Sequence, residues 1–407
     1  MLTNSGHLTY CTNIHAGESW PDHFEALKKH FPAIKKKISP DKPMGIGLRL
    51  SNEASLELIQ EDKLVLFENW LTANDAYVFT MNGFPYGGFH HVRVKDQVHT
   101  PDWTTGDRVA YTIRLFKILE RLLPEGMDGG VSTSPLSYRH WFESADRLKV
   151  ARQKATAHVL LVAAELIGMQ KKSGKLLHLD IEPEPDGLME TGAEFMDWFE
   201  NELLPAGNSM FCVEWNISAS EVATLLKAHI RLCYDVCHFA ISYESHEQVL
   251  RQLKEKGIKI GKIQISAALK ALLGDASERT AVKEAFSTYN EPVYLHQVVA
   301  RKEDGSLLHY PDLTEALADD DHPGVKEWRA HFHVPVFLQH FDVLQSTQQH
   351  IQEVLDIQKK DLVTQHLEIE TYTWEVLPPF LKLPLHESII RELQWVMDIL
   401  KTENTKL

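Results

Sequence analysis

Three short apolar runs each end in side chains that can ligate a cation or carry a proton: residues 176–184 (LLHLDIEPE), 232–238 (LCYDVCH) and 366–372 (HLEIETY). A carboxylate at the end of a buried strand is costly unless a cation, a proton or a partner compensates it. Strand alternation puts His178, Asp180 and Glu182 on one face, and Pro183 ends the pairing so that Glu182 stays at the strand's exit. The alternative for Glu182 is an ion pair with an arginine such as Arg49 or Arg139. Asp235 and His238 stand three apart at a strand-to-loop junction, and Glu368 and Glu370 share a face that Tyr372 continues. Carboxylate oxygens mixed with neutral imidazole suit Zn, Mn, Co or Fe. Glu182 and Glu370, coming from different strands, can hold one divalent cation between them. They can also exchange a proton with a carbon next to a carbonyl, as an isomerase or epimerase requires. Gln264, in IQIS, and His333, which with His331 flanks Phe332, can complete such a shell. His15, Asn82, His296, His331 and Tyr372 are expected to line the site by position, with Asn13, Lys95, His99 and Ser132 as further polar lining.

These residues converge only if their strands do. Strand-like runs alternate with helix-like runs, the pattern of a parallel sheet with crossover helices. Strands are expected at residues 8–15, 44–50, 76–82, 129–134, 175–182, 231–235, 260–266 and 365–370. Helices are expected near 21–37, after a cap at Ser51 or Asn52, and over 105–123, 145–169, 192–204, 247–256 and 388–400. Eight strands with carboxylates at their carboxyl ends predict an α/β (β/α)8 barrel whose site sits at the C-terminal rim. The chain reads as one barrel domain over 1–407. Strands seven and eight are separated by an insertion over 270–360, expected to fold across the rim with strand-like pieces at 292–299 and 330–336 and an acidic loop at 312–321.

Composition narrows the function. The 407 residues carry 42 Lys and Arg against 57 Asp and Glu, a net charge of −15, which argues against a nucleic-acid surface. No apolar stretch approaches the ~20 residues that span a bilayer, and the first residues lack the pattern of a signal peptide. Four cysteines, Cys11, Cys212, Cys233 and Cys237, read as reduced thiols of a cytoplasmic protein that is not membrane-embedded. No nucleophile elbow, phosphate loop or dinucleotide fingerprint occurs.

The DIEP, YDVCH and EIE pieces together resemble the xylose isomerase-like TIM-barrel superfamily of sugar isomerases, epimerases and metal-dependent apurinic endonucleases. The resemblance implies a divalent metal (Zn, Mn or Mg), with Glu182, Asp235 and Glu370 matching its first, second and last ligands and His238 the histidine beside the Asp. The superfamily's strand-seven histidine is replaced here by Gln264, a place that His333 could fill instead. Longer strings, LTYCTNIHAGESW at 8–20, YDVCH at 234–238, IQIS at 263–266, HFHVP at 331–335 and HLEIETYTW at 366–374, resemble the EboE family of metabolite traffic proteins. That likeness implies a small-molecule metabolite and partner proteins from a metabolite-traffic cluster. Isomerase-type proton transfer on a polyhydroxylated or carbonyl compound is the leading expectation. The alternative is a non-catalytic protein that binds a metabolite and hands it to a membrane transporter. Metal-dependent cleavage of damaged DNA is a third possibility, weakened by the acidic charge.

Overall fold

Eight apolar runs become parallel strands because crossover helices cover their outer faces and the sheet curls around their inner ones. In the computed structural model, which describes all residues except 89–93, 320–321, 376, 378–382 and 402–407, these strands are β1 (Gly6–Tyr10), β2 (Met44–Arg49), β3 (Ala76–Asn82), β4 (Gly129–Thr133), β5 (Leu177–Ile181), β6 (Ile230–Asp235), β7 (Ile260–Ile265) and β8 (His366–Ile369). Hydrogen bonding runs β1–β8–β7–β6–β5–β4–β3–β2, every pair parallel, and a two-residue strand, Leu2–Thr3, joins β1 antiparallel. The remaining seam, β1 to β2, has a single bridge, Cys11 to Gly47. Threonine hydroxyls supplement it: Thr9 Oγ1 donates to the Gly45 carbonyl at 2.8 Å and accepts from the Gly47 amide at 3.0 Å. Thr12 Oγ1 accepts from the Arg49 amide at 2.8 Å. The sheet is an α/β barrel.

The helices follow from their local signals. Ser51, rather than Asn52, caps the helix Asn52–Leu58 by accepting from the Ala54 amide at 3.0 Å. The long helix Ala145–Ser173 stops at Gly174, which takes φ 77°, a conformation that suits glycine. The closing helix, Leu385–Lys401, buries Ile389, Leu393 and Val396.

Two expectations are corrected. The first strand ends at Tyr10 rather than continuing to His15, because the chain turns through a short helical turn, Thr12–Ile14. Between β7 and β8 the strands fall at Val298–Lys302 and Val325–Ala330 instead of 292–299 and 330–336. With Leu269–Leu272, Leu307–Tyr310, His340–Phe341 and Leu344–Ser346 they form a separate six-stranded antiparallel sheet. Part of the expected acidic loop is a helix, Leu313–Ala318, which Asp312 caps; Asp320 and Asp321 lie outside the described residues.

Candidate metal centre

Barrel interiors are usually filled by branched apolar side chains. Here three strands carry alternating polar groups: His178 and Asp180 on β5 with Glu182 at its exit, Lys262 and Gln264 on β7, and His366 and Glu368 on β8 with Glu370 at its exit. All of them are buried. The bonds form successive levels. Asp128 meets His178 and His366 near the strands' beginnings, Lys262 meets Glu368 farther along, and the Gln264 amide donates to Glu370 at the exit. Gly47 leaves the space that Glu368 occupies, since a Cβ there would stand 2.0 Å from Glu368 Oε1.

At the carboxyl end of the strands a cavity open to solvent, with about 590 Å³ of atom-free space counting its open mouth, is lined by Glu182, Glu184, His238, His331, His333 and Glu370 among others. Asn13, Asn82, Lys95, His99 and Tyr372 also line it, and Asp235 and Gln264 lie buried in the same region. Neither arginine weighed as a partner reaches Glu182: Arg49 pairs with Glu18 at 3.2 Å, and Arg139 with Glu194 at 3.1 Å and Glu190 at 3.4 Å. Glu182 Oε1 stands 3.9 Å from His238 Nδ1, and its other oxygen 3.7 Å from the Cys233 thiol.

The protonation pattern of the imidazoles follows from their partners. His238 Nδ1 is 2.9 Å from the Pro183 carbonyl and His333 Nδ1 is 2.9 Å from the Glu370 carbonyl. His331 Nδ1 is 2.9 Å from Gln297 Oε1, an amide oriented by its donation to the Pro185 carbonyl at 2.9 Å. These oxygens only accept, so each Nδ1 carries a hydrogen and a ring in its neutral form presents a bare Nε2. The three bare nitrogens share one space. His238 and His331 face each other Nε2 to Nε2 at 3.1 Å, and His333 Nε2 makes no hydrogen bond and stands 4.0 Å from Asp235 Oδ2. Asp235 Oδ2 is buried and equally without a hydrogen bond, while Oδ1 accepts from Ser266 Oγ at 2.6 Å and from the His238 amide at 3.2 Å. Lone pairs directed at one another repel unless a cation, a proton or a water lies among them. Asp235, His238 and His333 offer ligand atoms within 4.8 Å of one another, with His331 beside His238, and one carboxylate with imidazoles so placed fits a divalent cation of the zinc, manganese or iron type.

Charge in the site is strongly perturbed. Burial pushes the Glu182 carboxyl well above its ordinary range, and Glu370 and Asp235 add to the effect. Glu370 is pushed up in the same way, by burial and then by Asp235 and Glu368, with Lys262 and the Gln264 amide opposing. For Asp235 burial acts upward too, but His238, His333 and Ser266 together outweigh it and hold the carboxyl low. Burial lowers His331 well below the usual imidazole value and lowers His333, with Asp235 opposing in the second case.

Two residues expected to line the site do not. His15 is carried away by the turn after β1 and stacks on His30 at 5.2 Å. His296 sits behind the cavity wall, bonded to the His331 carbonyl at 2.8 Å and to Glu291 at 2.7 Å. Gln264 serves as a strut: its oxygen accepts from the Cys233 thiol and its amide reaches Glu370. Glu184, Gln297 and Tyr294 also line the cavity, outside the expected set. Glu184 stands 2.9 Å from His99 Nε2, and its signal was its place two residues after Glu182 beyond a proline. Nothing in the local sequence marks Gln297 or Tyr294.

No family model and no curated protein matches the sequence. Solved structures with a similar course of chain include a 3-keto-D-glucoside 4-epimerase from E. coli (9% identity, TM-score 0.44, covering 97% of this chain and 99% of that one). A xylose isomerase-like TIM-barrel protein from Mycobacterium smegmatis in complex with magnesium matches at 9% identity and a TM-score of 0.47, covering 98% of each chain. A putative sugar phosphate isomerase/epimerase from Anabaena variabilis matches at 10% identity and a TM-score of 0.48, covering 97% and 98%. At such scores the likeness is one of chain course and assigns neither activity nor ligand.

Proposed function

We propose that the protein is a divalent-metal-dependent barrel enzyme that moves a proton on a small polyhydroxylated or carbonyl compound, in the manner of a sugar isomerase or epimerase. The observation that carries this reading is the set of three imidazoles with bare Nε2 atoms beside the unpaired Asp235 Oδ2. In this reading Asp235, His238, His331 and His333 hold the cation; relative to the expected shell His331 is added, and Glu182, Glu370 and Gln264 stand beside the ion rather than on it. A cation bound there supplies Lewis-acid polarisation of a substrate oxygen. Glu182, raised by burial and bonded only weakly to the Cys233 thiol, is the group that takes up and returns the proton. Glu184 and His99 face the cavity where substrate hydroxyls would be bound, and Gln297, His331 and His333, which flank strands of the antiparallel sheet, line it as well.

A second reading is favoured by Glu370. Its Oε1 accepts from Asn13 at 2.7 Å and Asn82 at 2.8 Å, and its Oε2 accepts from Gln264. A carboxylate engaged by three amides is better fixed than a proton carrier needs to be. That suits a binding protein which hands a metabolite to a partner, as the EboE-like strings suggest.

Incorporation of solvent deuterium into a panel of ketoses and aldoses, measured on metal-loaded protein, separates the two. The enzyme reading expects exchange that falls roughly 10²–10⁴-fold in Glu182→Gln. Undiminished exchange in that variant removes Glu182 from its role, and silence of the wild type across the panel favours the binder.

A further inference from the structure

Asp128, His178 and His366 meet at the opposite end of the barrel, where the strands begin, and nothing in the mouth chemistry uses them. Asp128 precedes β4, His178 lies on β5 and His366 opens β8, so the group spans the barrel floor. His178 is 0% and His366 1% exposed, while Asp128, at 23%, leaves a route from solvent. Asp180 Oδ1 stands 2.6 Å from His178 Nδ1. That carboxylate only accepts, so Nδ1 carries a hydrogen and Nε2 is the ring atom turned toward Asp128. Nε2 lies 3.5 Å from Asp128 Oδ2, is fully buried and makes no hydrogen bond. His366 Nε2 donates a hydrogen bond to the other oxygen, Oδ1, at 3.2 Å, where a bound cation would take the place of that hydrogen, and the two imidazole rings are 5.3 Å apart, centre to centre.

Two carboxylates and two imidazoles share this place with a single guanidinium. Asp128 and Asp180 bring two negative charges, and Asp180 Oδ2 is buried without a hydrogen bond. Arg231, 2.9 Å from Asp128 Oδ2, supplies one positive charge. A bound cation, or a proton on one of the rings, compensates the negative charge that remains. The neighbouring strands reserve the space: a Cβ on Gly261 would stand 1.8 Å from Asp180 Oδ1, and one on Gly130 2.4 Å from His178 Cε1. The ligand atoms of Asp128, His178 and His366 all lie within 4.8 Å of one another. An imidazole oriented by a carboxylate and a ligating carboxylate held by an arginine are the usual outer supports of a bound transition metal.

We propose that Asp128, His178 and His366 form a second divalent-cation site, of zinc-like preference, that clasps β8 to β4 and β5 across the barrel floor. Its role is structural, because the site lies at the end of the barrel away from the cavity. It does not depend on the function proposed for the mouth.

The test is zinc titration of chelator-stripped full-length protein, with bound metal counted per chain and thermal unfolding followed, for the wild type, Asp128→Asn and Asp235→Asn. The expected result is that Asp128→Asn binds about one zinc fewer than wild type and loses part of the zinc-dependent rise in Tm. Asp235→Asn, with the floor intact, should still bind zinc and gain Tm from it. Asp128→Asn retaining the full wild-type complement overturns the floor site, as does Asp235→Asn binding none. The second arm stands even if Asp128→Asn fails to fold. Full zinc retention in Asp235→Asn together with loss in Asp128→Asn supports the floor site while counting against the mouth site.

Discussion

Lys262 and Glu368 are fully buried opposite each other inside the barrel, and the ammonium also reaches the Met81 carbonyl at 3.4 Å. Removing one partner strands the other charge in a dry interior, which costs more than the pair contributes. Lys262→Met is therefore expected to destabilise the protein by about 3–5 kcal/mol in urea unfolding, and adding Glu368→Leu should recover most of the loss. Recovery by less than half would show that Lys262 acts through packing alone. At this scale the sequence was informative where chemistry and strand parity coincide: Glu182, Asp235, His238 and Glu370 come together because each sits at or just past a strand end. His15 was misplaced because a single turn after Tyr10 redirects the chain. Gln297 and Tyr294 were missed because their position depends on a sheet formed by distant segments.

Elements are tied together by one residue of the closing helix. Glu392 Oε1 accepts from Thr371 Oγ1 at 2.7 Å, just past β8, and from the Val336 amide at 3.2 Å, in the segment between two strands of the antiparallel sheet. Burial, partly offset by these hydrogen bonds, lifts its carboxyl from 4.5 to about 7. Between those values the folded protein holds a proton that the unfolded chain has released, so stability is full below pH ~4.5 and is lost as the pH rises to ~7. The loss is on the order of 3 kcal/mol. Glu392→Gln should flatten that part of the pH profile when urea unfolding is compared at pH 5 and pH 8. An unchanged slope would mean that Glu392 is ionised at both values. The helix itself was readable from its apolar spacing, with Ile389, Leu393 and Val396 on the buried face. Its link to the inserted sheet was not, since a glutamate on a helix usually faces water.

For the molecule as a whole, the barrel was legible because its strands are buried on both faces and read as nearly continuous apolar runs bounded by helix caps. The second sheet was legible only as an interruption. Its strands are short and carry charges such as Arg301, Lys302, Glu327 and Arg329, and the histidine-bearing stretch that looked like a strand lies just past one. The β1–β2 seam adds a consequence for motion. Where other neighbours share a backbone ladder, this junction relies on one bridge and two threonine hydroxyls, so local opening should start here. In native-state deuterium exchange the Gly47 and Arg49 amides should lose protection well before those of β5, and uniform protection around the sheet would contradict this. Asn13, one residue past Thr12, grips Glu370. Each opening of the seam would therefore loosen one wall of the mouth, making the weakest joint of the barrel its natural breathing point for ligand entry.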